Sequence, residues 1–465
     1  MRHLFLATIL IATPALAQYA PGLSPSERQQ GAQASKELVQ QFGGAMSGPL
    51  ADYVTRVGKR VAVQSNPRTR PEDYTVTLLN STVPNAFATP GGFIYVTRGL
   101  LAIMNSEAEL ASVMGHEVGH VAAQHSQSRN TRAGVGGLLA GLAGAITGSD
   151  LVGTLANYGA GAYVAGFSRS QENEADALGM RYSAAAGYDP FATPSMLAAL
   201  ARENASSGQG EARGISSWFS THPVTTDRVR RTQALAQKTG IAPGTRPVNR
   251  DAFLNAIDGM PFGDSADQGV VQGSSFRHPG LRLAFDAPSG FRLNNGTQAV
   301  TGESSSGANF VFAGAPAANP EDSVRQTWAG MLNGQVPDAQ TRRTTINGLD
   351  AALSSARLNT NRGTVDVGIA AYRFGEQNFV IRTIAPAGDG GQFDRLVNSF
   401  RRLSPAEAGS VRTRIIDVVT VKPGETVQSL AARMAVSDNP VARFTNLNGI
   451  ERVRPGDRVK LIVWK

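Results

Sequence analysis

The 465-residue chain contains no cysteine. A disulfide framework, a thiolate metal ligand and a lipid-bearing N-terminal cysteine are thereby excluded, so any metal site must be assembled from histidine, aspartate and glutamate. Long hydrophobic runs are missing as well. LFLATILIA at residues 4–12 falls far short of the ~20 residues that a membrane-spanning helix requires. Aromatic residues make up 7% of the chain, too few to interleave with basic groups as a nucleic-acid surface demands, and no nucleic-acid partner is expected. Only six histidines occur, and two of them sit four residues apart.

What is present begins with a leader. Met1-Arg2-His3 supplies positive charge, residues 4–12 a short apolar core, and Ala15-Leu16-Ala17 a small-residue cleavage signal. That is the pattern of a secretory signal peptide cut after Ala17, and the expected location is the periplasm. Length predicts about three domains. The formal net charge is +8. Residues 410–465 hold ten Lys+Arg against five Asp+Glu, a local excess that favours an anionic polymer or surface as neighbour.

Ser24-Pro25-Ser26-Glu27 places a cap, a first-turn proline and a reciprocal glutamate ahead of a helix running toward Gly43. A second helix is predicted from Pro49 to Val63. YTVTLL (74–79) and GFIYVT (92–97) are β-rich runs predicted to pair antiparallel across the turn-forming segment between them. Ser106-Glu107-Ala108-Glu109 is another capping box, opening a helix through about His125. The run AGVGGLLAGLAGAITG (133–148) admits three readings: close packing of small residues, a mobile flap, or membrane contact. A helical pattern returns from 151 to 188, a polar loop follows at 205–214, and residues 220–235 read as a turn entering a helix. Residues 259–275 and 404–416 are expected linkers. Between them, LRLAFDA, GFRLNN, ANFVFAG, VDVGIAAYRF and NFVIRTIA read as strands that two helical patches interrupt and close. That is an α+β module, 276–403, without clustered catalytic residues.

HEVGH, residues 116–120, lies inside the third helix. Residues four apart share a helix face, so His116 and His120 can present both imidazoles to one ion. Glu117, one step round, can touch a bound water without being a ligand. The bland alternative is a buried turn carrying two structural histidines. A third protein ligand is needed, and Glu172 and Asp176 of ENEAD are again four apart on a predicted helix; one can bind the ion while the other orients a histidine. Glu174 reads as a solvated helix face, and His125 and His278 as surface or packing residues.

HEVGH, then SRSQENEAD, then STHPVTTDR, with NAFATPGGFIYVTRGLL upstream, resembles in motif and order the gluzincin peptidase family of HtpX and the CAAX prenyl proteases. The soluble periplasmic BepA-like branch is closest in layout, and the resemblance covers about residues 24–240. It implies a zinc endopeptidase in which His116, His120 and Glu172 bind Zn²⁺, Asp176 supports a ligand from behind and Glu117 is the general base. His222 and Arg228 are then expected to face the site, either one stabilising the oxyanion, or His222 closing the site at rest as a fourth ligand. The long hydrophobic spans of the membrane-embedded members are lacking, so prenylated substrates are not expected. Asn85, Gly92, Phe93, Ile94 and Tyr95 are the expected substrate contacts, with Gly91 and Gly92 letting a substrate backbone add to the edge of strand 92–97.

The middle module resembles the PsbP/Mog1-like fold in pattern. Residues 417–463, with TVKPGET at one end and LNGI and VRPGDRV at the other, resemble a LysM module, which implies binding to the N-acetylglucosamine chains of peptidoglycan. The expected architecture is multidomain. It comprises a signal peptide (1–17), a mainly α-helical zincin peptidase domain with a small β-hairpin or sheet (18–258), the α+β domain (276–403) and a small βααβ LysM-like domain (417–465). The expected function is an exported endopeptidase with one Zn²⁺ per chain that hydrolyses misfolded or stalled cell-envelope proteins, held near peptidoglycan by its tail, with peripheral membrane contact left open. A chain ending near Ala408 is expected to keep the chemistry. The rival is a non-proteolytic chaperone or wall-binding scaffold whose metal site is structural and closed by four protein ligands.

Overall fold

The computed structural model describes residues 20, 22–125, 167–207, 222–332, 334–360 and 363–465. The expected signal peptide, the glycine-rich run 133–148, the start of the helical pattern at 151 and most of the loop 205–214 lie outside them. Among the described residues no helix is long and apolar enough to cross a membrane.

Two helices open the chain, α1 (Pro25–Gln41), capped by Ser24 with Glu27 reaching back, and α2 (Pro49–Ala62). Three strands follow, β1 (Thr75–Leu79), β2 (Ala86–Thr89) and β3 (Phe93–Thr97), in the sheet order β1-β3-β2. β1 and β3 run parallel, Thr75 opposite Phe93 and Leu79 opposite Thr97, which corrects the expected antiparallel pair. The reason is that the intervening segment is more than a turn. It contains β2, which folds back antiparallel onto β3 through Pro90-Gly91-Gly92 and takes that edge, leaving β1 the other. Gly92 sits at φ +85°, and a Cβ there would fall 2.3 Å from the Asp73 carbonyl oxygen.

Among the described residues, six helices complete the first module: α3 (Arg98–Ile103), α4 (Glu107–Ala122), α5 (Arg169–Ala185), α6 (Ala192–Ser207), α7 (Thr226–Lys238) and α8 (Arg250–Ile257). α4 is its axle, buried at every residue from Glu107 to His120. A helix buried all round has to satisfy its charges internally. Glu107 accepts from Tyr53 Oη at 2.6 Å, Tyr188 Oη at 2.8 Å and Asn249 Nδ2 at 3.0 Å. Glu109 accepts from the Asn105 amide and from Ser195 Oγ, both at 2.6 Å.

Residues 259–275, expected as a linker, instead carry β4 (Pro261–Phe262) and β5 (Val270–Gln272) and pack against the first module. The wholly buried Arg98 donates to the carbonyls of Pro261 and Gly263, and Gln268 donates to that of Asn80. Composition signalled polarity here, but the polar groups are hydrogen-bonded rather than solvated. The middle module adds β6 (Ser275–His278), β7 (Leu283–Asp286), β8 (Arg292–Asn295), β9 (Val300–Glu303), β10 (Asn309–Ala315), α9 (Pro320–Met331), β11 (Arg342–Ile346), β12 (Leu349–Thr360), β13 (Gly363–Phe374), β14 (Gln377–Pro386), α10 (Asp394–Ser399) and β15 (Arg401–Arg402). Its seven-stranded sheet runs β11-β12-β13-β14-β10-β9-β8, with a second sheet of order β15-β7-β6-β5. Val324 and Trp328 of α9 cover one face, while Phe310, Phe312 and Ile381 meet Phe276, Phe285 and Leu396 on the other.

The second expected linker, 404–416, holds the short α11 (Pro405–Gly409) and the start of β16 (Arg414–Thr420). The tail then runs through α12 (Val427–Ala431), α13 (Pro440–Asn448) and β17 (Arg458–Trp464), with β16 and β17 antiparallel and β4 on the outer edge of β16. This βααβ unit does not stand apart. Ile416, Leu430, Phe444 and Leu461 share one apolar core with Val54, Met114 and Phe253 of the first module. The wholly buried Lys460 donates to the carbonyls of Ala102 and Met104 at 2.8 and 2.6 Å, and Arg443 meets Glu203 at 2.8 Å.

Candidate metal centre

Two helices bring the site together. Ser106 caps α4 by accepting from the Glu109 amide, and Ser168 caps α5 in a reciprocal box with Gln171, which sets Glu172 in the first turn of α5. The helices cross where both are stripped to backbone. A Cβ on Gly115 would lie 2.6 Å from the Gly179 carbonyl oxygen, and one on Gly179 would lie 2.5 Å from the His116 amide nitrogen. That close approach puts Glu172 against the histidines.

His116, His120, Glu172 and His222 are all buried, and one ligand atom from each lies within 4.8 Å of the others. His116 Nε2 is 3.0 Å from His120 Nε2, 3.3 Å from His222 Nδ1 and 3.6 Å from Glu172 Oε2. Glu172 Oε1 is 3.4 Å from His120 Nε2 and 2.7 Å from His222 Nδ1. Tetrahedral bonds of ~2.1 Å place ligand atoms roughly 3.4 Å apart, and these separations bracket that edge. Lone pairs converging from three imidazoles and a carboxylate repel one another unless a cation lies among them, so the donor set fits a borderline cation bound by nitrogen and oxygen.

The electrostatics hold the ligands in the forms a cation needs. Burial pushes His120 well below the usual imidazole range and His222 down to about 4, each against the pull of Glu172. Burial works against the Glu172 carboxylate, but His222, His120 and His116 together keep it well below the usual range. Neutral imidazoles beside a charged carboxylate are ligand-ready. Glu117, next to His116 and 2% exposed, has an Oε1 with no hydrogen-bond partner among the described residues; the His222 Nε2 lies 3.9 Å from it. Burial first, then the Glu172 charge, raise the Glu117 carboxyl well above its ordinary range, with Arg228 opposing.

Asp176 Oδ1 lies 3.0 Å from His116 Nδ1, on the side of the ring away from the cluster. Arg228 is arranged differently from the expectation of an oxyanion donor. Its Nε and Nη2 bind Asp176 at 2.8 and 2.7 Å, and its Nη1 meets Glu172 Oε2 at 2.6 Å and the Pro223 carbonyl at 3.3 Å. A guanidinium held by two carboxylates and a carbonyl braces those carboxylates, which take most of its donors. The expected substrate contacts Gly92, Phe93, Ile94 and Tyr95 also need correction. β3 is the central strand, bonded on both sides, and Ile94 and Tyr95 are 1% and 0% exposed. Asn85 is 2% exposed, and its amide nitrogen and carbonyl are both bonded to Thr97. The edge strands of this sheet are β1 and β2, and β2 packs beside α4.

Sequence reasoning passed over Phe167 and gave His125 and Glu174, read as a packing or surface residue and a solvated helix face, no part in the site. Phe167, immediately before the Ser168 cap, stacks on the His120 ring with centroids 3.7 Å apart and lies 5.3 Å from the His222 ring. His125 is 5% exposed and touches His120, and Glu174 touches His125. An aromatic residue adjoining a helix cap was the one available signal for Phe167.

Comparison with known proteins agrees with the geometry. Residues 50–236 match the profile of peptidase family M48. The mitochondrial metalloendopeptidase OMA1 of Schizosaccharomyces pombe is 30% identical over 212 residues, covering 44% of this chain and 59% of that protein. A putative beta-barrel assembly-enhancing protease of Vibrio cholerae is 30% identical over 198 residues, covering 41% and 40%. The chain therefore spans less than two thirds of either relative. Among solved structures, the Ran-binding protein Mog1p of Saccharomyces cerevisiae covers 30% of this chain and 98% of its own at 12% identity and a TM-score of 0.22, a likeness that carries no argument. On the sequence match and the cluster it encloses, residues 50–236 of this chain are a peptidase family M48 domain.

Proposed function

We propose that the chain is an exported zinc endopeptidase that cleaves misfolded or stalled cell-envelope proteins. The observation that carries the reading is the buried cluster of His116, His120 and Glu172, with the unpartnered oxygen of Glu117 beside it. Zn²⁺ held there would polarise the scissile carbonyl and acidify a water. Glu117 takes the water's proton and returns it to the leaving amine, a task suited to a carboxyl whose burial raises its basicity. Asp176 fixes the His116 tautomer through Nδ1, and Arg228 holds Asp176 and Glu172 in place. The outer edge of β2 offers backbone groups to an extended substrate lying along α4. The leader-like N-terminus supports export, and the name of the Vibrio relative supports a substrate in outer-membrane assembly.

His222 supports a second reading. As a fourth protein ligand it makes the closed set of a structural site, and a scaffold or chaperone with such a site needs no peptidase activity. The deciding experiment incubates the mature protein and its Glu117→Gln variant with zinc and an unfolded envelope protein. Cleavage by the wild type alone, with zinc bound to both, supports the peptidase. Zinc retained by both without cleavage by either supports the scaffold. Loss of zinc in His116→Ala and Glu172→Ala is expected in either case.

The basic charge of the tail and its βααβ order support the LysM-like reading, in which residues 417–463 bind peptidoglycan chains. Sedimentation with purified sacculi tests it. The protein is expected to pellet with them, and recovery of all of it in the supernatant counts against the tether.

A further inference from the structure

α4 does not end on glycine. Its last turn closes with Gln124 at φ +56°, in the left-handed region that a side chain enters at a cost, and the His125 amide bonds back to the His120 carbonyl at 3.0 Å. This turn folds His125 under its own helix. His125 Nδ1 then lies 2.9 Å from His120 Nδ1, and His125 Nε2 lies 3.3 Å from Glu174 Oε2 on α5. His125 is 5% exposed, whereas the Glu174 side chain is 59% exposed.

Proton positions follow from these contacts. His120 Nε2 faces the cluster and must offer a lone pair to a cation, so the ring proton resides on Nδ1 and is donated to His125. His125 then accepts at Nδ1, which leaves its own proton on Nε2 to be donated to Glu174. Each ring holds one proton, each contact has one donor and one acceptor, and the chain ends on an anion at the surface. His116 is treated differently, since its Nδ1 meets the buried Asp176 directly.

We propose that His125 and Glu174 are positioning residues for the metal ligand His120: together they fix its tautomer and ring orientation through an imidazole-to-carboxylate chain. The proposal rests on the metallopeptidase reading above. The Gln124 turn and the third residue of ENEAD acquire a shared purpose, as the two ends of one hydrogen-bonded path.

The test is zinc affinity of the full-length protein, measured by competition with a chelator. His125→Leu is expected to weaken binding on the order of 10–100-fold, the usual effect of losing a partner behind a ligating histidine. His125→Asn, whose amide oxygen stands where Nδ1 stood, should recover most of that loss, and Glu174→Gln should cost less than His125→Leu. In zinc-loaded wild type labelled with ¹⁵N-histidine, NMR should show His125 protonated on Nε2 and His120 on Nδ1. An Nδ1-protonated His125, or a His125→Leu affinity within about twofold of wild type, overturns the proposal. The NMR measurement decides alone if His125→Leu does not fold. A wild type that binds no zinc overturns the metallopeptidase reading instead, so the two failures are distinct.

Discussion

At the scale of single residues, His222 is the side chain on which the open and closed readings of the site divide. Its Nδ1 occupies one corner of the cluster and its Nε2 faces Glu117, so in this arrangement one imidazole fills the fourth position and crowds the base. His222→Ala is expected to raise basal proteolysis while zinc stays bound through the other three ligands. A loss of on the order of 10²-fold in kcat instead would assign His222 to the oxyanion, the cost typical of one removed donor. Fluorogenic-peptide turnover with metal analysis of the same sample separates the outcomes. The gathering of His116, His120, Glu172 and Asp176 was legible in the sequence because each pair obeys the four-residue spacing of a helix, whereas the choice of Glu172 over Asp176 and the place of His222 came from the family resemblance. His125 and Glu174 were not, because their contact depends on a left-handed turn at a glutamine, for which the sequence carries no glycine to mark it. Arg228 was visible as a residue but not in its purpose, since only the fold shows two carboxylates already holding its donors.

At the scale of elements, the crossing of α4 and α5 is the joint on which the site is built. Gly179→Ala would drive a methyl group to within 2.5 Å of the His116 amide nitrogen, backbone that cannot rotate away. The helices must part by a fraction of an ångström, at an expected cost of about 1–3 kcal/mol. Since that parting withdraws Glu172 from His116 and His120, zinc affinity should fall as well. Urea unfolding and chelator competition on Gly179→Ala measure both, and an unchanged urea midpoint would show that the crossing is looser than described. Strand order belongs to the same scale and was poorly legible. AFAT is only four residues long and lies against a Pro-Gly-Gly turn, so it read as connection. Once it claims an edge of β3, the parallel placement of β1 follows. The hairpin of β11 and β12 escaped notice for a related reason: its alternation is of small and polar residues, with little hydrophobic contrast.

At the scale of the whole molecule, the tail and the first module share a core, so a chain ending near Ala408 would lose apolar cover that Val54, Met114 and Phe253 have in the full chain. Lys460 reports on the junction. Burial holds its amine well below the usual lysine range, more than Glu109 restores, and the amine donates to the uncharged carbonyls of Ala102 and Met104. Between that lowered value and the ordinary ~10.4 the unfolded chain carries a proton that the folded chain has shed, so stability rises with pH across the window. Wild type should therefore gain stability relative to Lys460→Met between neutral and alkaline pH. Urea midpoints of the two proteins taken at both conditions check this, and parallel pH profiles would show that Lys460 stays charged.

The shared core also orders events in time. A polypeptide is made from its N-terminus, and the strands that finish the shared core, β16 and β17, arrive only after the entire middle module has been made. Until then Phe253, Ile257 and Met260 lack the apolar surface that covers them in the finished molecule. The core of the first module thus stays incomplete until synthesis of the chain is nearly done, and a prematurely terminated copy would leave Phe253, Ile257 and Met260 short of part of their apolar cover.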